Sequence, residues 1–362
     1  YLFIKLKDLK SGDKMNVPKL RFLNFNNDYE IKEISDITYN VSSGKISKQL
    51  EDGEYNVYGS MGIIGKSNFY DYTGEKVLVA RVGANAGSVN KINEKCCISD
   101  NTLVLEPKNI LNDYLYYSLS HYDPKKLIFG SGQPLVTGGQ LKKIKLGVPS
   151  KEEQVKVSNF LSLLDKKIEL QSKKIEDLKL FKKGLLKKNY YKIANNNLTE
   201  LSCIANIYQP QTISQSELDN GKYYVFGANG IIGKYSKFNH KFMQVTISCR
   251  GENSGTINLT PDECWITGNS MVLNVDENKN VDKLYLKNIL EAQNLKYLIS
   301  GSGQPQIVRS SVLKHKIPYI SIEQQKKFTI PFIKLDSKIK LEQNKLIKLQ
   351  KLKKGLMQRM FV

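Results

Sequence analysis

Two long stretches of the chain carry apolar residues at helical spacing. In the first, Val157, Leu161, Leu164, Ile168, Ile175, Leu178, Phe181 and Leu185 follow one another by steps of three, four or seven. In the second, Phe328, Phe332, Leu335, Ile339, Leu346, Leu349, Leu352 and Leu356 repeat those steps 171 residues later. Such a stripe is the seam of a coiled-coil-like helix, and the Lys-rich positions beside it are a solvated flank that could also track phosphates. A polar residue interrupts each stripe, Gln171 in one and Glu342 in the other, of the kind that fixes register. Each helix also has a glycine near its end, Gly184 or Gly355. A helix of about 36 residues is about 54 Å long, too long to fold down on one small domain. The two are therefore expected to pack against each other, antiparallel, rather than as separate surface helices.

Ahead of each helix the pattern changes to β-rich apolar runs. "EKVLVARVG" (75–83) and "MQVTISCRG" (243–251) end at glycine, and after turn residues come "NTLVLEP" (101–107) and "NSMVLNV" (269–275). These predict hairpin-like antiparallel strands. A helix follows in each, with Asn112 or Asp113 capping the segment Leu115–Leu119 and Asp282 capping Leu284–Leu290. The tyrosines of "LYYSLSHY" fall at helical spacing and read as core. Each globular part is thus α+β.

The two halves are copies of one unit. "GSMGIIGK" (59–66) matches "GANGIIGK" (227–234) at an offset of 168. "GANAGSVN" (83–90) matches "GENSGTIN" (251–258), and "ISDNTLVLEP" (98–107) matches "ITGNSMVLNV" (266–275), at the same offset. Three added residues in the second copy move the offset to 171, where "GSGQP" (130–134) meets "GSGQP" (301–305). Six blocks in one order at nearly constant spacing establish a tandem duplication over roughly 20–190 and 191–362.

Charge narrows the partner. Against 55 Lys and Arg stand 35 Asp and Glu, a net charge of +20 that draws the chain to polyanions, nucleic acid before anionic membrane. No run approaches the ~18 apolar residues of a membrane span, and residues 1–16, "YLFIKLKDLKSGDKMN", are too short and too interrupted by Lys and Asp for a signal peptide. Cys96, Cys97, Cys203, Cys249 and Cys264 include no CxxC, which points to buried packing in a reducing cytoplasm rather than to disulfides or a metal site.

Enzymatic signatures are missing. His121, His240 and His315 lie far apart, as surface or packing residues. There is no GxxxxGK[ST], no HExxH, no Asp/Asn-Pro-Pro-aromatic run and no GxGxxG after a strand. Asp100 in one copy becomes Gly268 in the other, so no carboxylate pair recurs. A binding module fits better than an enzyme.

The candidate nucleic-acid contacts lie in the glycine-rich segments. "GIIGK" sets Lys66 and Lys234 at the end of a tight turn. "RVGANAGSVN" and "CRGENSGTIN" place Arg81 with Asn85, and Arg250 with Asn253, among glycines. Glycine lets backbone N–H groups approach a phosphate, Arg can grip guanine bidentately and Asn adenine. The two arginines are out of register, Val82 being opposite Arg250. The same glycines also suit plain hairpin turns and bulges. Gln133 and Gln304 of "GSGQP" are further candidates, although that loop reads first as the segment leading into the helix.

From "PKLRF" (18–22) to the C-terminus, the order of these blocks resembles the specificity subunits of type I restriction-modification systems. The matching features are the repeated "GSGQP", the short strand into "GVPSKEEQ" (147–154) or "IPYISIEQQ" (317–325), and the paired long helices. "PYISIEQQ" departs from the family's usual proline-rich segment and leaves that helix start open. The resemblance implies two target recognition domains, 18–150 and 191–320, and two helical spacers, 151–190 and 321–362. The domains would be separated by the long antiparallel helices and related by a pseudo-twofold axis. Partner-facing or helix-pair contacts would come from Val157, Leu161, Leu164, Ile168, Leu178, Phe328, Phe332, Leu335, Ile339 and Leu349. It further implies a non-catalytic chain that reads double-stranded DNA, each domain taking half of a split, asymmetric site. Two modification (methyltransferase) subunits would dock on it, with restriction subunits in the full complex. S-adenosylmethionine, ATP and Mg²⁺ would belong to those partners, and this chain would bind no cofactor or metal. A ~54 Å rod would let the domains reach major-groove faces one to two ~34 Å turns apart, so an inserted helical turn should lengthen the spacer. The alternatives are an RNA- or ribosome-associated adaptor with a basic helical pair, and a scaffold whose tails dimerise.

Overall fold

The computed structural model describes residues 16–45, 50–60, 62–128, 132–195, 197–300 and 305–362, and the backbone of the strand Ile4–Leu6. Two compact units divide the chain. Unit 1 holds residues 1–172 with 344–362, and unit 2 holds 173–343. The division falls inside both long helices, Lys151–Tyr191 and Ile322–Met360, which settles the open helix start at Ile322.

Within unit 1 a four-stranded antiparallel sheet runs in the order Thr38–Ser43, Thr102–Pro107, Glu75–Ala80, Val89–Asn93. Unit 2 repeats it as Asn206–Tyr208, Ser270–Asn274, Val245–Ser248, Ile257–Leu259. A three-stranded sheet stands with each. It comprises Gly62–Ser67, Tyr55–Gly59 and Cys96–Ile98 in unit 1, and Gly230–Tyr235, Tyr223–Gly227 and Trp265–Ile266 in unit 2. In unit 1 the two central strands carry unbroken apolar runs, Val77–Ala80 and Leu103–Leu105, because both faces are covered. Val77, Val79, Leu103 and Leu105 join Tyr114, Leu115, Tyr117 and Leu119 of the helix Asn112–Tyr122, whereas Leu78 and Val104 meet Tyr72, Cys96 and Ile98 on the other side. Unit 2 sorts its residues the same way, Ile247 and Leu273 to one cluster, Val272 and Ile266 to the other.

Several expectations need correction. The two apolar runs of each unit do pair antiparallel, but not as a hairpin, since the chain first turns back as Val89–Asn93 and adds Cys96–Ile98. Asn112 does not cap its helix. Leu111 stands at the cap without a side-chain bond, and its N–H donates to Gln154 Oε1 at 2.9 Å. Asp282 does cap Lys283–Gln293, accepting from the Tyr285 N–H at 2.8 Å, while its own N–H donates to Gln325 Oε1 at 2.8 Å. Gln154 and Gln325, 171 residues apart, thus hold the two shorter helices to the first turns of the long ones.

The first turns of each long helix pack on the globular core of their own unit. Val157 and Leu161 lie in the unit 1 core, which also takes Met360 and Phe361, and Phe328 packs on that of unit 2. Phe332 and Ile339 are buried; Leu164, Ile168, Leu178, Leu335 and Leu349 are half-buried. Phe181 and Leu352 face outward, 61% and 51% exposed, against the stripe reading. Two successive three-residue steps carry Phe181 roughly 120° round the helix from Ile175, whereas Lys182 and Leu186 stay within about 20° of it. Lys182 accordingly turns inward and reaches Asp336 at 2.6 Å in unit 2, where Lys174 also reaches Glu342 at 3.2 Å, so the two helices run antiparallel there; in unit 1 Lys353 pairs with Asp165. Cys203 is exposed, unlike the other four cysteines, which are buried.

Candidate nucleic-acid interface

In each unit three glycine segments converge from distant parts of the chain. The first is the tip of the hairpin in the three-stranded sheet. Gly59 pairs with Gly62 and Tyr58 with Ile63, then the register slips at Ile64 so that Val57 faces Gly65. Gly62 and Gly230 take φ of +104° and +87°, a left-handed turn that favours glycine. The bulged Ile64 folds over Gly59, where a Cβ would sit 2.9 Å from its Cδ1. Ile63 and Ile231 are left exposed.

Lys66 and Lys234 are not at this turn. Each lies toward the far end of its strand, because the turn is made by Gly59–Gly62 and Gly227–Gly230. Lys66 Nζ donates to Asn56 Oδ1 at 2.8 Å, and Asn56 and Tyr58 both donate to Glu94. Lys234 lies over the Tyr224 ring at 5.6 Å.

The second segment is the turn after the central strand. Ala86 N–H donates to Gly83 O, Gly87 to Ala80 and Ser88 to Asn85, at 2.8–2.9 Å. Ser254, Gly255 and Thr256 repeat the bonds to Gly251, Ser248 and Asn253. Gly87 backs so closely onto the turn after helix Asn112–Tyr122 that a Cβ would meet Lys125 N at 2.6 Å.

The third is the repeated "GSGQP". Its residues 130, 131 and 301–304, including Gln304, lie outside the described residues. Its prolines dock on the second segment: Gly83 N–H donates to Pro134 O at 3.1 Å and Gly251 N–H to Pro305 O at 3.0 Å. Gln133 is exposed beside Pro134.

Arg81 and Asn85 therefore share one surface with Gln133, and Arg250 with Asn253. The arginines differ as their register requires. Arg81 N–H donates to Asn101 O and its Nη1 approaches Asp100 O at 3.4 Å, while Arg250 is exposed with no side-chain partner among the described residues. Where unit 1 has Arg81, unit 2 has Cys249, buried among Gln209, Gly268 and Asn269. Burial raises its thiol and that of Cys264, and pushes Cys96 up to about 12, so these thiols are packing groups rather than nucleophiles. Asn253 Nδ2 donates to Asn229 Oδ1 at 2.5 Å. Among the described residues no group of three or more His, Cys, Asp or Glu is placed to hold a metal, and no helix is long and apolar enough to cross a membrane.

The family of type I restriction modification DNA specificity domains matches residues 5–180 and 194–351, one copy on each half of the chain. The chain belongs to this family. It is 26% identical over 418 residues to the type I restriction enzyme MjaVIII specificity subunit of Methanocaldococcus jannaschii, covering 98% of this chain and 95% of that one. A putative type I specificity subunit of Mycoplasma pneumoniae is 32% identical over 145 residues, 38% of this chain and 47% of that protein. The solved S subunit of a type I restriction-modification system from M. genitalium shares the fold, with TM-score 0.63 at 19% identity over 96% of this chain and 99% of that one. The protein is a type I specificity subunit with two recognition domains, and none of these matches favours an RNA-associated adaptor or a dimerising scaffold.

Sequence reasoning missed Ser60, Ser88, Asn90 and Thr102, which line the space between the hairpin tip and the glycine turn of unit 1. Part of the signal was present, since Asn90 and Asn258 close the matched blocks at the common offset.

Proposed function

We propose that each recognition domain reads one half of a bipartite, asymmetric site on double-stranded DNA. The long helices dock two methyltransferase subunits, with restriction subunits joining the full complex. The chain itself is non-catalytic and works in the cytoplasm, and S-adenosylmethionine, ATP and Mg²⁺ are held by its partners. One observation carries this reading. The backbone of the glycine surface is repeated bond for bond in the two units, while the side chains on it differ, as Arg81 against Cys249 and Ser60 against Ala228. A repeated frame with unlike side chains suits two unlike half-sites. The net charge of +20 suits phosphate contacts.

Sequencing of methylated adenines in cells with and without the chain tests it. A split, non-palindromic motif that vanishes with the chain is expected, together with co-purification of two methyltransferase copies per chain. An unchanged methylation pattern would overturn the reading.

A further inference from the structure

The two hairpin tips keep one side-chain feature in common. Their loops differ, Ser60 and Met61 against Ala228 and Asn229, yet both are followed by Gly-Ile-Ile-Gly-Lys. Successive side chains of a regular strand point to opposite faces, so one isoleucine of each pair should turn inward. Neither does. Ile63 and Ile64 are 57% and 40% exposed, and Ile231 and Ile232 are 53% and 45% exposed. The cause is a bulge: Ile64 and Ile232 are the extra residues where the register slips, without a partner on the neighbouring strand. Glycine makes room for it in unit 2 as in unit 1, since a Cβ on Gly227 would sit 3.2 Å from Ile232 Cγ2. A lone exposed isoleucine needs no explanation, but a pair turned outward by the same distortion in both units does.

Each tip adjoins the glycine turn of its unit. In unit 1, Ser60 and Gly62 line one cleft of about 280 Å³ with Asn85, Ser88 and Asn90. In unit 2, Asn253 Nδ2 donates to Asn229 Oδ1 at 2.5 Å, and Ser248 Oγ donates to Ala228 O at 2.6 Å. Unlike side chains on this surface suit unlike half-sites, and identical ones suit what the half-sites share. Each half-site holds an adenine that must leave the base stack before a methyltransferase can reach it. Apolar side chains, isoleucine among them, unstack and kink duplex DNA by entering between bases.

We propose that each isoleucine pair is a wedge, which enters the base stack beside the target adenine and holds the gap open when that base turns out. Ile63 with Ile64 serves one half-site, and Ile231 with Ile232 serves the other. The inference rests on the reading of both units as DNA recognition domains. It gives the tips a part in extruding the base rather than in identifying it.

The test uses the full chain with its methyltransferase subunits. The cognate duplex carries the fluorescent analogue aminopurine, which brightens on leaving the stack, in place of one target adenine or the other. Ile63→Ala with Ile64→Ala should cut the brightening about tenfold at one target and leave the other unchanged. Ile231→Ala with Ile232→Ala should do the reverse. Preference for cognate over scrambled DNA should persist in both. Methylation at the affected half-site should slow, and should recover when the target adenine is placed in a mismatch, which is less costly to extrude. A merely structural role would not be rescued in that way. Should a double variant fold poorly, Ile63→Ala or Ile231→Ala alone, at side chains more than half exposed, carries the same expectation.

Unchanged brightening at both targets in all variants overturns the proposal. So does loss of the co-purifying methyltransferase, which would make the tip a protein contact. Lost discrimination at a single thymine, reproduced in the wild type by deoxyuridine there, would make it a methyl contact and overturn the wedge as well. A wild type that prefers its site but never brightens the analogue sinks this inference alone. Wild-type binding without any sequence preference sinks the recognition reading too.

Discussion

His315 shows how far folding can move one side chain from its sequence context. Its Nδ1 accepts from Tyr297 OH at 2.6 Å and its Nε2 donates to Gln293 Oε1 at 2.9 Å, a pairing that suits the neutral ring. Burial lowers its pKa from 6.5 to about 4. Below pH 6.5 the unfolded chain therefore takes up a proton that the folded one refuses, so stability falls as pH drops from 6.5 to 4 and is flat above that window. Its share is about 3 kcal/mol across the window, at 1.36 kcal/mol per pH unit. Denaturation of the chain at a series of pH values should show this slope, and His315→Asn should reduce it; burial of His240, which acts in the same direction, keeps a residue of it. The sequence placed His315 correctly among packing or surface residues but offered no sign of its partners. Tyr297 lies 18 positions away and Gln293 lies 22, and helix and loop geometry alone brings them together.

Among the elements, the start of the first long helix is anchored by a buried ion pair with no counterpart among the described residues of unit 2. Arg21 grips Glu153 through two bonds at 2.8 and 2.7 Å, and Tyr29 OH donates to the same carboxylate at 2.9 Å. Unit 2 has Gln324 at the position of Glu153. Glu153→Gln removes the charge that balances the buried guanidinium, which keeps its bond to Asn27 O, and should cost about 3 kcal/mol, the low end for a broken buried pair, read in chemical denaturation as an earlier transition of unit 1. Asp336→Asn removes the pair with Lys182, whose carboxylate partner is half exposed, and should cost less than about 1 kcal/mol in the same measurement. Both long helices were legible from spacing, as were the doubly buried strands. The misread positions have a common cause: a seam written as a list of steps ignores accumulated rotation, which turned Phe181 outward and Lys182 inward. Likewise Asn112 had the right residue type for a cap, but Gln154 and Lys91, from other elements, set where that helix begins and where Asp113 points.

At the scale of the whole chain, the excess of positive charge predicts binding that weakens steeply with salt, log K falling by about 0.9 for each phosphate contact per decade of salt. Titrations of cognate and scrambled DNA between low and physiological salt check this. The non-specific complex should lose affinity at least as steeply, because the base contacts that set the two apart are the less salt-dependent part. The duplication, the two long helices, the family and the basic character were all legible in the sequence alone, since repeated blocks, periodic burial and composition are written along the chain. Only the tertiary structure decided that the hairpin tip flanked by Gly59 and Gly62, the turn Gly83–Ser88 and the proline of "GSGQP" meet, and that Lys66 stands away from them. Those facts depend on which strand lies beside which and on bonds between residues tens of positions apart. Sheet order and packing set such long-range bonds, and local patterns do not encode them.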